Sequence, residues 1–200
     1  MDLVERAKRI LLQPGQEWQA INTETVTTAD LYRSYIAPLA AIGPVASIIG
    51  MSVVGVSGPF FGTYRAPFAT AVGHAVVSYV LTLVGVYVLA LIINALAPTF
   101  AAEKNDAQAL KVAAYASTAA WLAGVFSLIP VLSVLGILGL YSLYLLYLGL
   151  PILMKPPQEK ALGYTAVVVV AAIALFAVIG AVSGAFITYP SPTMRIPGMK

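Results

Sequence analysis

Four long stretches of this chain carry no charged residue, and they constrain its fold more than any other feature. A helix needs about 20 apolar residues to cross the hydrocarbon core of a bilayer. The chain is 60% hydrophobic and only 10% charged, whereas soluble domains carry roughly 25% charge. We therefore predict that the apolar surface of the protein faces a lipid bilayer, which is its first predicted partner. The uncharged stretches lie between Arg33 and Arg65, Arg65 and Glu103, Lys111 and Lys155, and Lys160 and Arg195.

The stretch between Lys111 and Lys155 is too long for one crossing, because a single helix of this length would extend roughly 64 Å. Pro130 lies near its middle, where it would interrupt a helix, so we predict a hairpin of two spans there and one span in each other stretch. The predicted fold class is an all-α integral membrane protein, a five-transmembrane-helix bundle with an N-terminal amphipathic interfacial helix. Residues 1–34 form the predicted cytoplasmic segment, 35–189 the membrane domain and 190–200 an extracytoplasmic tail. The predicted spans are 36–56, 72–95, 112–129, 134–154 and 165–187.

The distribution of Lys and Arg between the loops predicts the orientation of the bundle. Short cytoplasmic loops carry an excess of these residues. One side of the predicted membrane has only Arg65, Arg195 and Lys200. Because an odd number of spans separates the termini, we expect a multi-pass protein of the inner cell membrane with its N-terminus in the cytoplasm and its C-terminus outside. The richer side carries Arg6, Lys8, Arg9, Arg33, Lys104, Lys111, Lys155 and Lys160.

The first residues of the chain have the pattern of an amphipathic helix. Apolar residues of 2–12 share one helical face and most charged residues lie opposite, which is typical of a helix in the membrane interface. Packing of the same apolar face on the cytoplasmic ends of the spans is the open alternative. The predicted lipid or partner contacts of this segment and of the loops are Arg6, Lys8, Arg9, Trp18, Lys104 and Lys111.

The predicted spans contain no Asp, Glu, Lys or Arg, which argues against ion-coupled transport and against paired acids for catalysis. The chain has no cysteine and a single histidine, so we predict no metal site, no cofactor and no catalytic residue. Its basic residues are dispersed, unlike those of a nucleic-acid groove.

Polar side chains within the spans form one candidate intramembrane cluster, either as contacts between helices or around a cavity. Tyrosines three apart in the fourth span are expected to face the bundle, since their hydroxyls need partners. The cluster comprises His74, Ser78, Asn94, Tyr115, Ser117, Tyr141, Tyr144 and Tyr147.

Small residues recur four apart in two of the spans, a spacing that lets helix backbones approach closely. Packing within the bundle is the main expectation, and a homo-oligomer formed through Gly180 and Gly184 is the alternative. The predicted packing residues are Ala116, Ala120, Gly124, Gly180 and Gly184.

Three segments resemble the Yip family, small five-span membrane proteins named for interaction with Ypt/Rab GTPases, in its bacterial branch. They are the Pro14…Trp18…Ile21 entry segment, Ala114-Tyr115-Ala116-Ser117, and the run from Tyr141 to Pro151. The resemblance implies a cytosolic N-terminus, an opposite-side C-terminus and a role linked to membrane trafficking.

The sequence agrees with two functions. The first is a non-enzymatic membrane scaffold that offers the N-terminal segment and the cytoplasmic loops 98–111 and 155–160 to a protein partner. The alternative is a transporter or channel for a small solute or lipid, and it predicts that His74, Tyr115 and Tyr144 converge on a cavity.

Overall fold

The computed structural model describes residues 2–58 and 62–185 of the chain. Within these residues, two short N-terminal helices precede five helices that are long and apolar enough to cross a membrane. The predicted five-helix membrane fold is confirmed, while the predicted tail 190–200 and the end of the last predicted span lie outside the described residues. The helices are α1 (Leu3–Leu12), α2 (Pro14–Thr23), α3 (Thr28–Val54), α4 (Phe68–Phe100), α5 (Asp106–Leu128), α6 (Pro130–Met154) and α7 (Gln158–Ala185).

Most of the long helices begin several residues before the apolar segments predicted from the sequence. Side-chain caps explain this for two of them. The side chain of Thr27 accepts a hydrogen bond from the backbone N–H of Asp30 at 3.1 Å and so starts α3. The side chain of Asn105 accepts a hydrogen bond from the backbone N–H of Gln108 at 3.0 Å and so starts α5. The caps lie in polar sequence, so the helices extend beyond the uncharged stretches that marked the predicted spans.

The long helices contain turns that depart from α-helical geometry. Helix α3 includes π-helical turns at Tyr32–Ile36 and Gly50–Val54. It ends at Gly55, whose φ of 85° is a conformation that favours glycine. Helix α5 ends in a 3₁₀ turn at Gly124–Leu128, and α6 begins with an unusually long 3₁₀ run at Pro130–Leu140.

A short hairpin follows α3. Its strands, β1 (Val56–Gly58) and β2 (Gly62–Tyr64), are antiparallel, and Ser57 pairs with Thr63. The hairpin links α3 to α4 and leaves the helical character of the fold unchanged.

The five long helices pack around α4 and α5. Helix α4 contacts α3, α5 and α7, while α5 contacts α3 and α6. Tyr164 connects α7 to α4. Its hydroxyl donates to the Ile93 carbonyl at 2.5 Å, and its ring stacks on Phe100 with 5.1 Å between ring centroids. The predicted hairpin is present, with α5 and α6 meeting at Ile129 and Pro130.

Candidate functional site

Helices α1 and α2 fold over one end of the five-helix bundle. At this end the backbone N–H of Glu103 donates to the Met154 carbonyl at 2.8 Å, which joins two inter-helix loops. The hydroxyl of Tyr141 in α6 donates to the Leu11 carbonyl at 3.0 Å and holds the end of α1. Residues 2–24 and the loops 101–105 and 155–157 are together called the cap.

Arg6 is the centre of the cap. Its guanidinium bonds Glu17 at 2.7 Å and Glu24 at 2.5 Å, and its Cζ lies 5.6 Å from the ring centroid of Tyr115 in α5. Arg6 and Glu17 are each only 4% exposed. Burial alone would lower the pKa of Arg6, but the hydrogen bond with Glu24 and the neighbouring negative charges raise it. The guanidinium therefore stays charged and joins α1, α2 and α5.

Lys111 of α5 fixes the other end of α2. Its ammonium donates to the carbonyl of Ile21 at 3.0 Å and to that of Glu24. These carbonyls lie at the C-terminal end of α2, where a helix has unpaired acceptors and a partial negative charge. One turn away, the side-chain amide of Gln108 donates to the carbonyl and side-chain oxygens of Asn22 at 3.2 Å. Lys111 thus caps α2 from a neighbouring helix.

Contacts between aromatic rings connect the cap to the core of the bundle. Trp18 is completely buried and meets Tyr115 edge to face, with 6.3 Å between ring centroids. Tyr35 of α3 packs on the same Tyr115 at 4.6 Å, and its hydroxyl is hydrogen-bonded to Thr118 at 2.7 Å. Gly149 of α6 makes room for the indole, since a Cβ there would lie 2.5 Å from the Trp18 ring. The cap is consequently continuous with the core of the bundle.

The predicted lipid or partner contacts divide into two groups. Arg6, Trp18 and Lys111 lie inside the protein and contact its own chain, unlike the outward contacts expected from the sequence. The difference arises because α1 turns its Arg6 side toward Glu17 and Tyr115, a partnership that helical periodicity does not reveal. The outward-facing group is Lys8, Arg9 and Lys104.

The candidate intramembrane polar residues of α4 lie at opposite ends of the bundle. At the end opposite the cap, His74 bonds the Ser183 carbonyl through Nδ1 at 3.1 Å and Ser78 through Nε2 at 3.4 Å. At the cap end, Asn94 donates to the Asp106 carboxylate and accepts from the backbone of Asn105 at 2.8 Å. Asn94 therefore links the end of α4 to the start of α5.

The tyrosines of α6 do not all face the bundle. Tyr141 is half-buried against α1, whereas Tyr144 and Tyr147 are exposed on the outer surface. Ser117 donates to the carbonyl of Ala113 in its own helix at 2.8 Å. His74, Tyr115 and Tyr144 do not converge on a cavity in the way that a transporter predicts. His74 lies at the end opposite the cap, Tyr115 in the contact with the cap, and Tyr144 on the outer surface.

The small residues of α5 lie at close helix crossings. A Cβ on Gly124 would lie 2.7 Å from the Gly43 Cα, and a Cβ on Gly139 would lie 3.1 Å from the Ala120 Cα. Ala116 is buried in the core.

Gly180 and Gly184 of α7 are different, because each is exposed and a Cβ there would meet nothing within 4 Å. Self-association through them stays a prediction. An unchanged oligomer size in detergent for Gly180→Leu would contradict it.

Sequence reasoning did not single out three residues that complete the site: Glu17, Glu24 and Tyr35. Only a weak signal in the sequence pointed to them. Glu17 and Glu24 lie in the same N-terminal segment as three basic residues, and Tyr35 follows the charged Arg33. Within residues 2–58 and 62–185, no three His, Cys, Asp or Glu residues are grouped so as to hold a metal ion. The arrangement is suited to holding two helices rigidly on a membrane bundle.

Comparison with known proteins places the chain in a family. No curated protein and no solved structure matches it. A family model described as the Yip1 domain matches residues 8–179. The match begins within α1, includes α2 and α3 to α6 completely, and ends in α7, so it covers the cap together with the bundle. The resemblance to the Yip family is confirmed, and the chain belongs to the Yip1 domain family.

Proposed function

We propose that the protein is a non-enzymatic membrane scaffold that presents the cap to a protein partner. The observation that carries this proposal is the buried Arg6–Glu17–Glu24 network, which holds α1 and α2 in one conformation. A surface that is already ordered loses less conformational entropy on binding, so a fixed cap favours recognition.

The outer face of α1 supports a docking role. Val4 and Leu12 are 69% and 68% exposed, and Lys8 lies between them at the same four-residue spacing. Glu5 and Arg9 form an exposed ion pair at 2.5 Å beside this stripe. Apolar side chains with a charged rim of both signs are typical of protein interfaces. Contact of the same stripe with lipid headgroups is the alternative, as it was in the sequence analysis.

The chemistry of the described residues also supports binding in preference to catalysis. The buried ionisable side chains of the cap are engaged in ion pairs or bonded to helix carbonyls. A general acid or base needs a proton that it can exchange with a substrate within hydrogen-bond reach. Groups held in this way are suited to structure.

A photo-crosslinking experiment tests the docking role. A photoreactive residue replaces Lys8 in the full-length protein in its native membrane, and a second variant carries it at the exposed span position Ile137 as the matched control. We expect one discrete protein adduct at position 8, identified by mass spectrometry, and only lipid adducts at 137. The adduct should disappear in Arg6→Met, which releases the cap. Lipid adducts alone at position 8 would contradict a protein partner and favour the leaflet.

We also propose that the cap lies in the cytoplasm. Most of the basic residues are in or beside the cap, as the positive-inside rule requires of a cytoplasmic surface. The chain has no cysteine, so single cysteines can be labelled with a membrane-impermeant maleimide. Lys8→Cys should react only after permeabilisation, and Arg65→Cys should react in intact cells. The reverse pattern would overturn the orientation while leaving the fold unaffected.

A further inference from the structure

A cavity of about 540 Å³ lies beside the 3₁₀ run of α6, inside the bundle. Its walls come from all five long helices, so it is a feature of the whole bundle. Gly136 leaves space in the wall, because a Cβ there would meet nothing within 4 Å, whereas Gly43 and Gly124 lie at the close crossing of α3 and α5. Residues from each wall include Ala40, Thr82, Ser117, Trp121, Gly139 and Ile173.

The cavity lies at the middle of the membrane-spanning helices. Thr82 is at the midpoint of the α-helical part of α4 (Phe68–Leu96), Ser117 is at the midpoint of α5, and Ile173 is close to the midpoint of α7. The Thr82 and Ile173 walls therefore lie near the centre of the hydrocarbon core, whereas Ser117 is two residues from the Tyr115 that contacts the cap. At the depth of Thr82 and Ile173 the solvent outside the protein consists of lipid chains.

Three of the five wall hydroxyls donate within their own helices, and a fourth, on Ser142, accepts the backbone N–H of Ala120 at 2.9 Å. Thr82 donates to the Ser78 carbonyl at 2.8 Å, Ser117 to the Ala113 carbonyl at 2.8 Å, and Ser133 to the Pro130 carbonyl at 2.6 Å. Each hydroxyl has a single proton to donate. A polar solute, an ion or an ordered water needs several convergent polar partners. These walls therefore favour an apolar occupant.

The cavity is continuous with the lipid-facing surface. Leu140, Ile173 and Phe176 line it and are also exposed on the outside of the bundle. Beside it, residues 131–138 of the 3₁₀ run are all exposed, including Val131, Val134 and Ile137. A lipid chain can therefore enter from the side without crossing a polar barrier. An apolar cavity left empty would destabilise the bundle in proportion to its volume.

We infer that this cavity binds one acyl chain of a membrane lipid, entering sideways between α6 and α7. The site is independent of the proposed partner-binding role of the cap. The occupant is specified by its surroundings, because an acyl chain is apolar, flexible and present at this depth. The bound chain would fill the space beside Gly136 and cover part of the exposed 3₁₀ run.

Trp121 provides a reporter for this site. The chain contains only two tryptophans, and Trp121 lines the cavity while being almost completely buried. Trp18 lies in the cap, completely buried, and its fluorescence can be subtracted with Trp121→Phe. Bromine atoms quench tryptophan on contact. The full-length protein is reconstituted into phosphatidylcholine vesicles whose acyl chains carry bromine toward the methyl end, and into unbrominated vesicles for reference.

We expect the brominated chains to remove most of the Trp121 fluorescence in the unmodified protein. Gly136→Leu should restore most of it, because Gly136 lines the cavity and a Cβ there meets nothing within 4 Å. Gly73→Leu is the matched control, since Gly73 also has open space around its Cβ but does not line the cavity, and it should leave quenching unchanged. If Gly136→Leu does not fold, Gly136→Ala adds a single methyl group and should give a partial restoration.

Three results would overturn the inference. The first is no quenching of Trp121 by the brominated chains in the unmodified protein. The second is equal quenching in the Gly136 variants and the unmodified protein, which would place the quenching lipid outside the cavity. The third is stronger quenching by the water-soluble quencher acrylamide than by lipid, which would show a hydrated path through the bundle and favour a solute as the occupant.

Discussion

Replacing Arg6 by methionine should release the cap from the bundle. Methionine keeps an apolar stem of similar length but removes the charge that Glu17 contacts at 2.7 Å. Glu24, the other partner, has a side chain that is 40% exposed and can turn to water. Glu17 cannot, because it is 4% exposed. Leaving one member of a buried pair without its partner costs about 3–5 kcal/mol.

Hydrogen exchange measures this loss directly in the full-length protein held in lipid nanodiscs. Amide protection in α1 and α2 reports the free energy of opening of the cap. Since about 1.4 kcal/mol corresponds to a tenfold change in an equilibrium, we expect exchange in these helices to accelerate by roughly two to four powers of ten. Amides in the middle of α4 and α7 should be unaffected.

Arg9→Met is the matched control, because it breaks a pair of similar length on the same helix. Arg9 and Glu5 are bonded at 2.5 Å, but both side chains are about half exposed. Such surface pairs contribute only about 0–1 kcal/mol. The double variant Arg6→Met with Glu17→Leu should recover much of the protection, since it leaves no buried charge unpaired. Equal exchange in Arg6→Met and Arg9→Met would refute the reasoning.

Two further predictions concern the contact between the cap and the bundle. Gly149→Ala should lower the free energy of unfolding by about 1–3 kcal/mol, because its methyl group would overlap the Trp18 ring. Gly15→Ala is the control, since its Cβ has open space and should cause no loss. Equal melting temperatures for the two variants would contradict the packing. Tyr35→Phe should cost about 1 kcal/mol through loss of the buried hydrogen bond to Thr118, measured by denaturant unfolding in detergent, and an unchanged midpoint would contradict that bond.

The architecture was predictable because it depends on the local composition of each segment. Uncharged stretches define membrane spans, and Pro130 marks the turn of the hairpin. The exact helix starts were less predictable, because caps such as Thr27 and Asn105 lie in polar sequence beyond the apolar segments. The long 3₁₀ run in α6 has no clear signal in the apolar sequence from Pro130 to Leu140.

The candidate site was predicted only in part. Tyr115 and Lys111 were singled out, but as members of two separate sets, and the structure brings both to the cap contact. Arg6 is more than a hundred residues from Tyr115 in the chain. Nothing in the spacing of either residue indicates that they meet, because their contact depends on how α1 folds back over α5.

The sequence alone determined the number of membrane helices and their approximate limits, since an uncharged segment of sufficient length has a favourable free energy only in lipid. It also determined that the N-terminal helix has an apolar face. Only the tertiary structure decided what that face contacts, which charges are buried, and where a cavity remains. Those outcomes depend on the packing of side chains from segments distant in the chain, and such packing is set by shape and by paired charges that local sequence does not specify.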